Sequence, residues 1–423
     1  MESTSKSLSG FSRPFWVANV SELFERVAFY GTTSMLVLFL TKSRGLDEGE
    51  AMRLNGIFGM MVYGLPVLSG FLADLMGYRK ALLLAYALLA TGYFLVGQVS
   101  GYWAIAGALM VVAFGASLVK PTITGTVQKT CSESQRSVGF SIYYTLVNIG
   151  GLLGPQIAAR VSKATSATGA EQVVAVDSAR VFYVCTAAAL LALVLVALLF
   201  HEPASATPAE KRSLGKFLGD FAKVIGNWRL VALFLLVAGF WVMFFSLYGA
   251  FPLYVTKQLG GDEIAVGNLL SIESIVVIAL TVVVGALTRN LLASRAFMIG
   301  VLLGAVGMAL IGLYPSTYVA AAGVVFIALG ELTYSAHFYK YLGDMAPPDQ
   351  VGMYMGFAFL PIALGYFGSG YFGSWMRTLT AGNPSMIWFA FAAVGLLATV
   401  GIFLLTEVFK AKKVEPAAGA PAT

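Results

Sequence analysis

Charged residues are scarce in this chain of 423 residues, since only 11% are Asp, Glu, Lys or Arg. An average soluble domain carries about 25% charged residues. With 58% hydrophobic residues, a soluble protein of this composition would have too little polar surface to face water. The scarcity of charge therefore excludes the soluble classes and indicates an all-α polytopic membrane protein.

Cysteine and histidine are also scarce, with two residues of each. Cys131 and Cys185 fit no metal-binding spacing and cannot build a disulfide framework. We expect no metal and no cofactor, and an enzyme is the least favoured class because no nucleophile–base pair is visible. The first apolar run is too long for the core of a signal peptide, so we expect it to remain as an anchor.

Long apolar runs, by contrast, are abundant. A membrane-spanning helix needs about 20 mostly apolar residues. Twelve segments meet this condition, near 15–40, 53–74, 80–99, 102–126, 138–161, 180–200, 228–256, 265–288, 294–313, 317–345, 351–379 and 385–408. We therefore predict two six-helix bundles related as pseudo-repeats, over 1–200 and 228–409, joined by a cytoplasmic linker over 201–227 and followed by a polar tail over 410–423.

The net charge of +6 has a topological explanation. Cytoplasmic loops of membrane proteins are enriched in Lys and Arg. If both termini and the central linker share one side, that side holds 17 of the 27 basic residues, the other holds eight, and Arg26 and Lys120 lie inside the membrane. Both termini are therefore predicted to be cytoplasmic, and a nucleic-acid partner is not expected.

Three ionisable residues interrupt the first apolar segment. Glu22, Glu25 and Arg26 are spaced at i, i+3 and i+4, so they share one helical face. A charge at mid-bilayer costs about 2.5–3.5 kcal/mol, and such residues mark pathways for ions or substrates. Two acids and one base leave one carboxylate without a local partner, and burial disfavours its charged form. A proton carrier needs such a group.

Further charges lie in other segments, with Lys120 before Pro121 in the N-terminal half and Glu273 and Glu331 in the C-terminal half. A zwitterion of peptide length would fit between them, its carboxylate towards Arg26 and Lys120 and its ammonium towards the two acids. The alternative is that these charges pair with one another to hold helices together. Buried ion pairs are, however, poor stabilisers compared with apolar packing.

A weak internal repeat supports two related halves. The loop after the second segment reads Gly70-Phe-Leu-Ala-Asp74-Leu-Met-Gly77-Tyr-Arg79-Lys80, and Gly285-Ala-Leu-Thr-Arg289 occupies the equivalent place after the eighth. Six-helix halves with repeat-related gates are the plan of the major facilitator superfamily, whose signature loop the first sequence resembles. The resemblance implies a gating loop that includes Gly70, Asp74, Gly77 and Arg79, with Asp74 bonding helix ends or basic residues across the inner face.

Five segments together resemble one family within that superfamily. Glu-x-x-Glu-Arg followed by Phe29-Tyr30-Gly31 resembles the helix 1 motif of the proton-dependent oligopeptide transporters, the POT or PTR2 family. Four further segments also resemble motifs of this family, namely Met61-Val62-Tyr63, Lys120-Pro121, Tyr143-Tyr144-Thr-Leu-Val-Asn148-Ile-Gly150-Gly151 and Gly330-Glu331-Leu332-Thr-Tyr-Ser335. The resemblance implies a divergent member without two extra central helices. It would be a monomeric, alternating-access symporter of protons and di- or tripeptides in the plasma membrane, or in the inner membrane of a Gram-negative cell.

The resemblance also implies roles for individual residues. Glu22, Glu25, Arg26 and Glu331 would take part in proton coupling, which would follow if protonation loosened ion pairs that hold one gate shut. The peptide's carboxyl end and backbone would be held by Arg26, Tyr30, Tyr63, Lys120 and Asn148, and its amino end by Glu331. Plain packing is the alternative for each tyrosine. Trp241 fits a side-chain pocket or simple packing equally well.

The chain departs from the family pattern in the eighth and tenth segments. Ser271-Ile272-Glu273-Ser274 stands where the family usually has Asn-Pro, and Ala336 replaces an expected Pro. We hypothesise that Glu273 is a second amine-binding acid or an extra proton site. Two other functions remain open: a proton-driven exporter of drugs or of acidic or peptide-like metabolites, and a non-transporting receptor or assembly subunit. The pair of bases argues against cationic drugs, and the unpaired acids argue against a scaffold.

Overall fold

The chain is helical throughout the residues that the computed structural model describes, which are 10–162, 179–202, 214–346, 351–381 and 383–408. No β-strand occurs in these ranges. The helices are α1 (Arg13–Leu38), α2 (Glu48–Gly64), α3 (Pro66–Met76), α4 (Tyr78–Gln98), α5 (Tyr102–Thr130), α6 (Glu133–Ser162), α7 (Ala179–Leu199), α8 (Leu214–Gly226), α9 (Trp228–Lys257), α10 (Glu263–Thr288), α11 (Ala293–Leu313), α12 (Thr317–Met345), α13 (Val351–Phe357), α14 (Leu360–Leu379) and α15 (Met386–Phe403). Single π-helical turns extend α1 over Phe39–Ser43 and α15 over Leu404–Val408.

Eleven stretches of the described chain are long and apolar enough to cross a membrane, and α2 with α3 makes a twelfth if the bent pair is one span. The all-α multi-pass prediction is therefore confirmed. Two predicted segments are each divided, however. Segment 53–74 consists of α2 and α3, which meet at a 44° bend before Pro66, and segment 351–379 consists of α13 and α14. Proline is tolerated in the first turn of a helix but not in its interior, so α3 starts at Pro66.

The predicted linker over 201–227 contains a helix that the sequence interpretation did not foresee, namely α8. Its apolar residues Phe221, Val224 and Ile225 recur at helical spacing, and Val224 is buried while Ile225 is exposed. The Phe221 ring lies 5.9 Å from the ring of Phe357 in α13. The boundaries of the two predicted bundles and the cytoplasmic orientation of the termini stay predictions.

A proline inside α5 is compensated by a neighbouring helix. Pro121 has no N–H, so the carbonyl of Ser117 loses its helical partner. The Ser69 hydroxyl of α3 donates to this carbonyl at 2.5 Å. In a membrane, such a freed group has to be satisfied by protein. The contact ties α3 to α5 at Ser117, three residues before Lys120, and so helps to fix the position of that lysine.

The two halves are joined at one end of the molecule, which we call the closed end. Lys42 Nζ lies 2.8 Å from Glu263 Oε1, linking the end of α1 to the start of α10. Across the same end, Arg53 donates to Ser374, and Glu48 of α2 pairs with Lys257 of α9 and with Arg377 of α14.

Backbone contact between α2 and α14 completes the closed end. A Cβ atom added to Gly370 would lie 2.5 Å from the Met52 carbonyl oxygen and 2.8 Å from Gly56 Cα, so only glycine permits this approach. A little further in, the Asn55 amide donates at 3.4 Å to the carbonyl of Tyr248, which Pro252 deprives of its helical partner. Small residues and polar side chains thus replace the hydrophobic driving force that lipid does not supply between helices.

Candidate functional site

The three charged residues of α1 form a compact buried group. Arg26 Nε lies 2.5 Å from Glu25 Oε2 and 3.4 Å from Glu22 Oε1, and all three side chains are almost fully buried. The expectation that one carboxylate would lack a local partner is wrong, because one guanidinium contacts both. The second oxygens, Glu22 Oε2 and Glu25 Oε1, have no hydrogen-bond partner in the described part of the protein. The group therefore has one uncompensated negative charge and two free acceptors.

Aromatic side chains hold the Arg26 guanidinium on its other sides. Its Cζ lies 4.8 Å from the Phe29 ring centroid and 5.9 Å from that of Tyr30, within the range of cation–π attraction. The Tyr63 hydroxyl acts electrostatically on the same guanidinium. Tyr143 of α6 donates to Glu22 at 3.4 Å. Arg26 is thus fixed in orientation while its unoccupied N–H groups remain available to a ligand.

Lys120 is the second cation of the N-terminal half. Its Nζ lies 5.2 Å from the Tyr63 ring and 5.1 Å from the ring of Phe359, which belongs to the C-terminal half. Among the described residues, no carboxylate oxygen lies within 4.0 Å of this ammonium. Lys120 and Arg26 act electrostatically on each other, and together they form a positively charged wall.

The C-terminal half contributes a pair of acids. Glu273 of α10 is buried and accepts a hydrogen bond from Ser274 at 2.9 Å. The carboxyl groups of Glu273 and Glu331 act on each other electrostatically, and Glu331 Oε2 has no hydrogen-bond partner within the described ranges. Gly151 of α6 makes room for this arrangement, since a Cβ atom there would lie 2.6 Å from Ser274 Oγ. Two carboxyl groups can hydrogen-bond to each other only when they share a proton, because two carboxylates offer only acceptors.

Aromatic rings fill the space between the two charged walls. Tyr30 lies 6.3 Å from Tyr248, and Tyr63 lies 6.1 Å from Tyr366 (centroid distances). Trp241 is buried and donates through Nε1 to the Tyr334 hydroxyl at 3.2 Å. The site therefore includes several aromatic residues that sequence reasoning missed, namely Phe245, Tyr248, Tyr334, Phe359 and Tyr366. Trp241, Phe245 and Tyr248 recur at i, i+4 and i+7 on one face of α9, and this spacing was the available signal.

Asn148 and Tyr144 lie one turn apart on α6. The Asn148 amide donates to the Tyr144 carbonyl at 2.8 Å, so one of its two donor hydrogens is used within its own helix. Tyr144 is 42% exposed, yet both acids of the C-terminal half act electrostatically on it. Its side chain therefore faces the open space between the halves. Sequence reasoning had not named Tyr144 as a site residue.

The predicted gating loop lies away from these walls. Asp74 is exposed and accepts from the Tyr78 hydroxyl at 3.4 Å. The role of bonding helix ends, which the sequence interpretation gave to Asp74, is taken instead by Glu202, whose carboxylate accepts from the backbone N–H groups of Tyr78 and Arg79 at 2.8 Å each. Gly77 supplies the φ of +83° that separates α3 from α4.

The remaining members of the gating loop also make contacts within the N-terminal half. Gly70 lies against Pro121, where a Cβ atom would be in ordinary van der Waals contact. Arg79 donates to the Ala197 carbonyl of α7 at 2.9 Å. The described contacts of the loop thus fasten α3, α4 and α7 to one another rather than to the other half.

Sequence comparisons identify relatives of the chain. The family model of the Major Facilitator Superfamily matches residues 20–290 and 233–423. A dipeptide and tripeptide permease A of Serratia proteamaculans is 32% identical over 158 residues, which are 35% of this chain and 31% of that protein. A di-/tripeptide transporter of Lactococcus lactis is 28% identical over 173 residues, or 38% and 35% of the two chains. The chain thus matches about a third of the length of these curated relatives.

Solved structures share the fold over almost the whole chain. A POT family transporter in complex with 5-aminolevulinic acid superposes with a TM-score of 0.77 at 18% identity, covering 95% of this chain and 97% of that one. A peptide transporter POT in complex with sulfate gives 0.76 at 19% identity, covering 93% and 94%. At such identity the likeness establishes the architecture, and the chemistry must be argued from the side chains.

Proposed function

The chain belongs to the Major Facilitator Superfamily, and from this premise we propose that it is a member of the proton-dependent oligopeptide transporter family. Its activity would be the symport of protons with di- and tripeptides by alternating access. The substrate class is supported by the named relatives, which are di- and tripeptide transporters or permeases. The bilayer and a small peptide are its partners, and protons replace a cofactor as the coupling species.

One observation supports the proposal above the others, namely the separation of charge between the halves. Arg26 and Lys120 face the site from the N-terminal half, whereas Glu273 and Glu331 face it from the C-terminal half. A peptide in its zwitterionic form has a carboxylate for the first wall and an ammonium for the second. Hydrogen bonds to charged groups contribute about 1.5–3 kcal/mol each, so free termini would dominate recognition.

The tyrosines between the walls suit a ligand of variable sequence. Tyr30, Tyr63 and Tyr248 present both ring faces and hydroxyl groups, which can contact a peptide backbone without selecting a side chain. Trp241 lies at one edge of this cluster, 5.4 Å from Phe245, where a peptide side chain would be accommodated. The arrangement supports recognition of the peptide backbone and termini.

Proton coupling is assigned to the α1 group. Both carboxylates contact Arg26 Nε, so protonating Glu22 or Glu25 removes a negative charge beside the guanidinium and strengthens its attraction for the carboxylate of a peptide. Binding of the proton and binding of the peptide then favour each other. Each proton that enters down a 100 mV potential supplies about 2.3 kcal/mol for accumulation.

The acid pair of the C-terminal half would bind the peptide's amino end. With one shared proton the pair carries one negative charge, which matches one ammonium group. If the pair loses that proton, both carboxyl groups are negatively charged and the pair can bind a second positive charge. The position of Glu273 beside Glu331 supports the hypothesis that Glu273 is a second amine-binding acid or an extra proton site.

Uptake into proteoliposomes under an imposed proton gradient tests the proposal. Ala-Ala should accumulate, whereas its N-acetylated and C-amidated forms should not, because each lacks one terminal charge. Glu22→Gln and Glu25→Gln should abolish uphill accumulation and spare counterflow exchange, while the exposed Glu133→Gln serves as the matched control. Uphill accumulation that persists in both α1 variants would refute the coupling mechanism, and accumulation of the blocked peptides would refute the substrate class.

A further inference from the structure

Helix α8 lies next to a membrane span but is too short to be one. It ends at Gly226, and the span formed by α9 begins at Trp228. The 13 residues of α8 reach about 20 Å, which is less than the hydrocarbon core of about 30 Å. Asn227 between the two helices has an extended backbone (φ −89°, ψ 91°), so α8 does not continue the axis of α9. Its place in the chain therefore puts α8 at the surface of the membrane.

This surface is at the end of the molecule opposite the closed end. Helix α9 runs from Trp228 to Lys257, and the ion pair of Lys257 belongs to the closed end, so α8 lies at the other end. There α8 is fastened to α13 of the C-terminal half. The Asn227 amide donates to the Tyr354 hydroxyl at 3.2 Å, and the Phe221 ring lies 5.9 Å from a ring of the same helix. The position of α8 is thus fixed on one side by protein.

The other side of α8 presents apolar groups that the protein leaves exposed. Val224 is 2% exposed, whereas its neighbour Ile225 is 56% exposed. Trp228, at the start of α9, is 62% exposed. Tryptophan is enriched at membrane–water interfaces, where its ring meets lipid and its N–H meets water. Ile225 and Trp228 therefore mark the edge of α8 and α9 that faces lipid at the level of the headgroups.

Positive charge accompanies this apolar edge. Residues 210–229 contain five basic residues and two acidic ones. Lys223 is exposed and lies about 160° around the helix from Ile225. The Arg229 guanidinium lies 5.5 Å from the Trp228 ring. A helix with an apolar edge and basic residues on its polar face lies in the membrane surface and is attracted to anionic lipids. Each basic residue near such a surface strengthens binding about fivefold.

We propose that α8 docks on the anionic phospholipid surface of the membrane, with Ile225 and Trp228 at the boundary of the acyl chains and Lys223 and Arg229 at the phosphates. The occupant of this surface is lipid because α8 adjoins a membrane span and its charge is complementary to anionic headgroups. Since α8 is also fastened to α13, docking anchors that part of the C-terminal half to the membrane surface. The docking is independent of what the central site transports.

Nitroxide labels on α8 test the orientation of the helix. The full-length protein carries Ile225→Cys or Gly219→Cys, with the two buried cysteines replaced by alanine. Gly219 is the matched control, because it lies about 120° around the helix from Ile225 and an added Cβ meets no atom within 4 Å. In nanodiscs of phosphatidylcholine and phosphatidylglycerol, oxygen should relax the label at Ile225 more than an aqueous nickel chelate does, and the reverse should hold at Gly219. The same preference at both positions would overturn the proposal, as would shielding of Ile225 from both reagents, which indicates a protein occupant.

A fluorescent label at Ile225→Cys tests the preference for anionic headgroups. At equal mole fraction, doxyl-labelled phosphatidylglycerol should quench the label about fivefold more effectively than doxyl-labelled phosphatidylcholine. Lys223→Gln/Arg229→Gln should bring the two lipids close to equality. Lys80→Gln is the control, since Lys80 is exposed at the same end but belongs to α4, and it should keep the preference. Equal quenching by the two lipids before the bases are replaced, or an unchanged preference in the double variant, would overturn the proposal. Neither measurement uses a transport assay, so failure here is distinguishable from failure of the proposed function.

Discussion

Replacing Gly370 by alanine would test how the closed end is held. The new Cβ would lie 2.5 Å from the Met52 carbonyl oxygen and 2.8 Å from Gly56 Cα. Both are backbone atoms of α2, so no side-chain rotation can relieve the clash, and α2 and α14 must separate. Overpacking of this kind costs about 1–3 kcal/mol, which is about a five- to 150-fold shift in an equilibrium constant. Because the strain disappears when the halves part here, the shift favours the state open at this end.

Double electron–electron resonance, which measures the distance between two spin labels across the closed end, would detect this shift. Spin labels at Ser100 and Thr317, both exposed and in opposite halves, should gain a longer-distance population in Gly370→Ala. Gly300→Ala is the first control, because its Cβ would clash at 2.6 Å with Gly330 and Tyr334 within the C-terminal half. It should lower thermal stability without changing the distance. Gly285→Ala meets no atom within 4 Å and should change neither quantity.

The reasoning would be refuted if Gly370→Ala kept the wild-type distance distribution while folding normally. It would also fail if Gly300→Ala lengthened the distance as much, since the effect would then follow from any overpacked helix pair. A shift confined to Gly370→Ala would show that the glycine contact between α2 and α14 sets the conformational equilibrium.

Three further predictions concern charged groups. Lys42→Ala leaves Glu263 buried without its partner, so it should open the closed end more than the double variant Lys42→Met/Glu263→Met does. The spin-label distances described above would show the difference, and equal effects of the two variants would contradict this prediction. Glu202→Gln weakens two hydrogen bonds at the start of α4 and should lower the free energy of unfolding by about 1 kcal/mol. Unfolding measurements would check this with Glu133→Gln as the control, and an unchanged free energy of unfolding would contradict the capping role of Glu202. Glu273→Gln should reduce uptake of Lys-Ala about tenfold relative to Ala-Ala, since the acid pair loses its second charge, and parallel loss of both peptides would contradict the role of the pair.

Hydropathy was sufficient to predict the spans because the lipid interior imposes a length and an apolar composition on every crossing helix. It could not locate the breaks before Pro66 and Leu360, since a bent pair of helices is as apolar as a straight one. It also missed α8, whose apolar residues are diluted by polar neighbours. Periodicity rather than average composition identifies such a helix.

The charged residues of the site could be found from the sequence because a charge in an apolar segment is conspicuous. Their partners could not, since Arg26 contacts its neighbour Glu25 at a shorter distance than Glu22 one turn away, and side-chain rotamers decide this. Tyr366 and Phe245, with rings 3.8 Å apart, were hidden among many aromatic residues that face lipid or fill space. Glu202 was missed because it follows α7 and lies outside the gating-loop motif.

The placement of the ion pairs constrains how protons drive transport. The carboxylates of Glu22 and Glu25 pair with Arg26 in the same helix, and among the described residues neither forms an ion pair with the other half. In this conformation their protonation breaks no bridge between the halves, and the expectation that protonation of α1 or Glu331 loosens ion pairs at a gate stays a prediction. Other bridges that cross, such as Lys257 to Glu48, are partly exposed, and exposed pairs contribute only about 0–1 kcal/mol each. Such bridges separate at little cost, so coupling is better placed at Arg26, where a proton and a peptide carboxylate assist each other's binding.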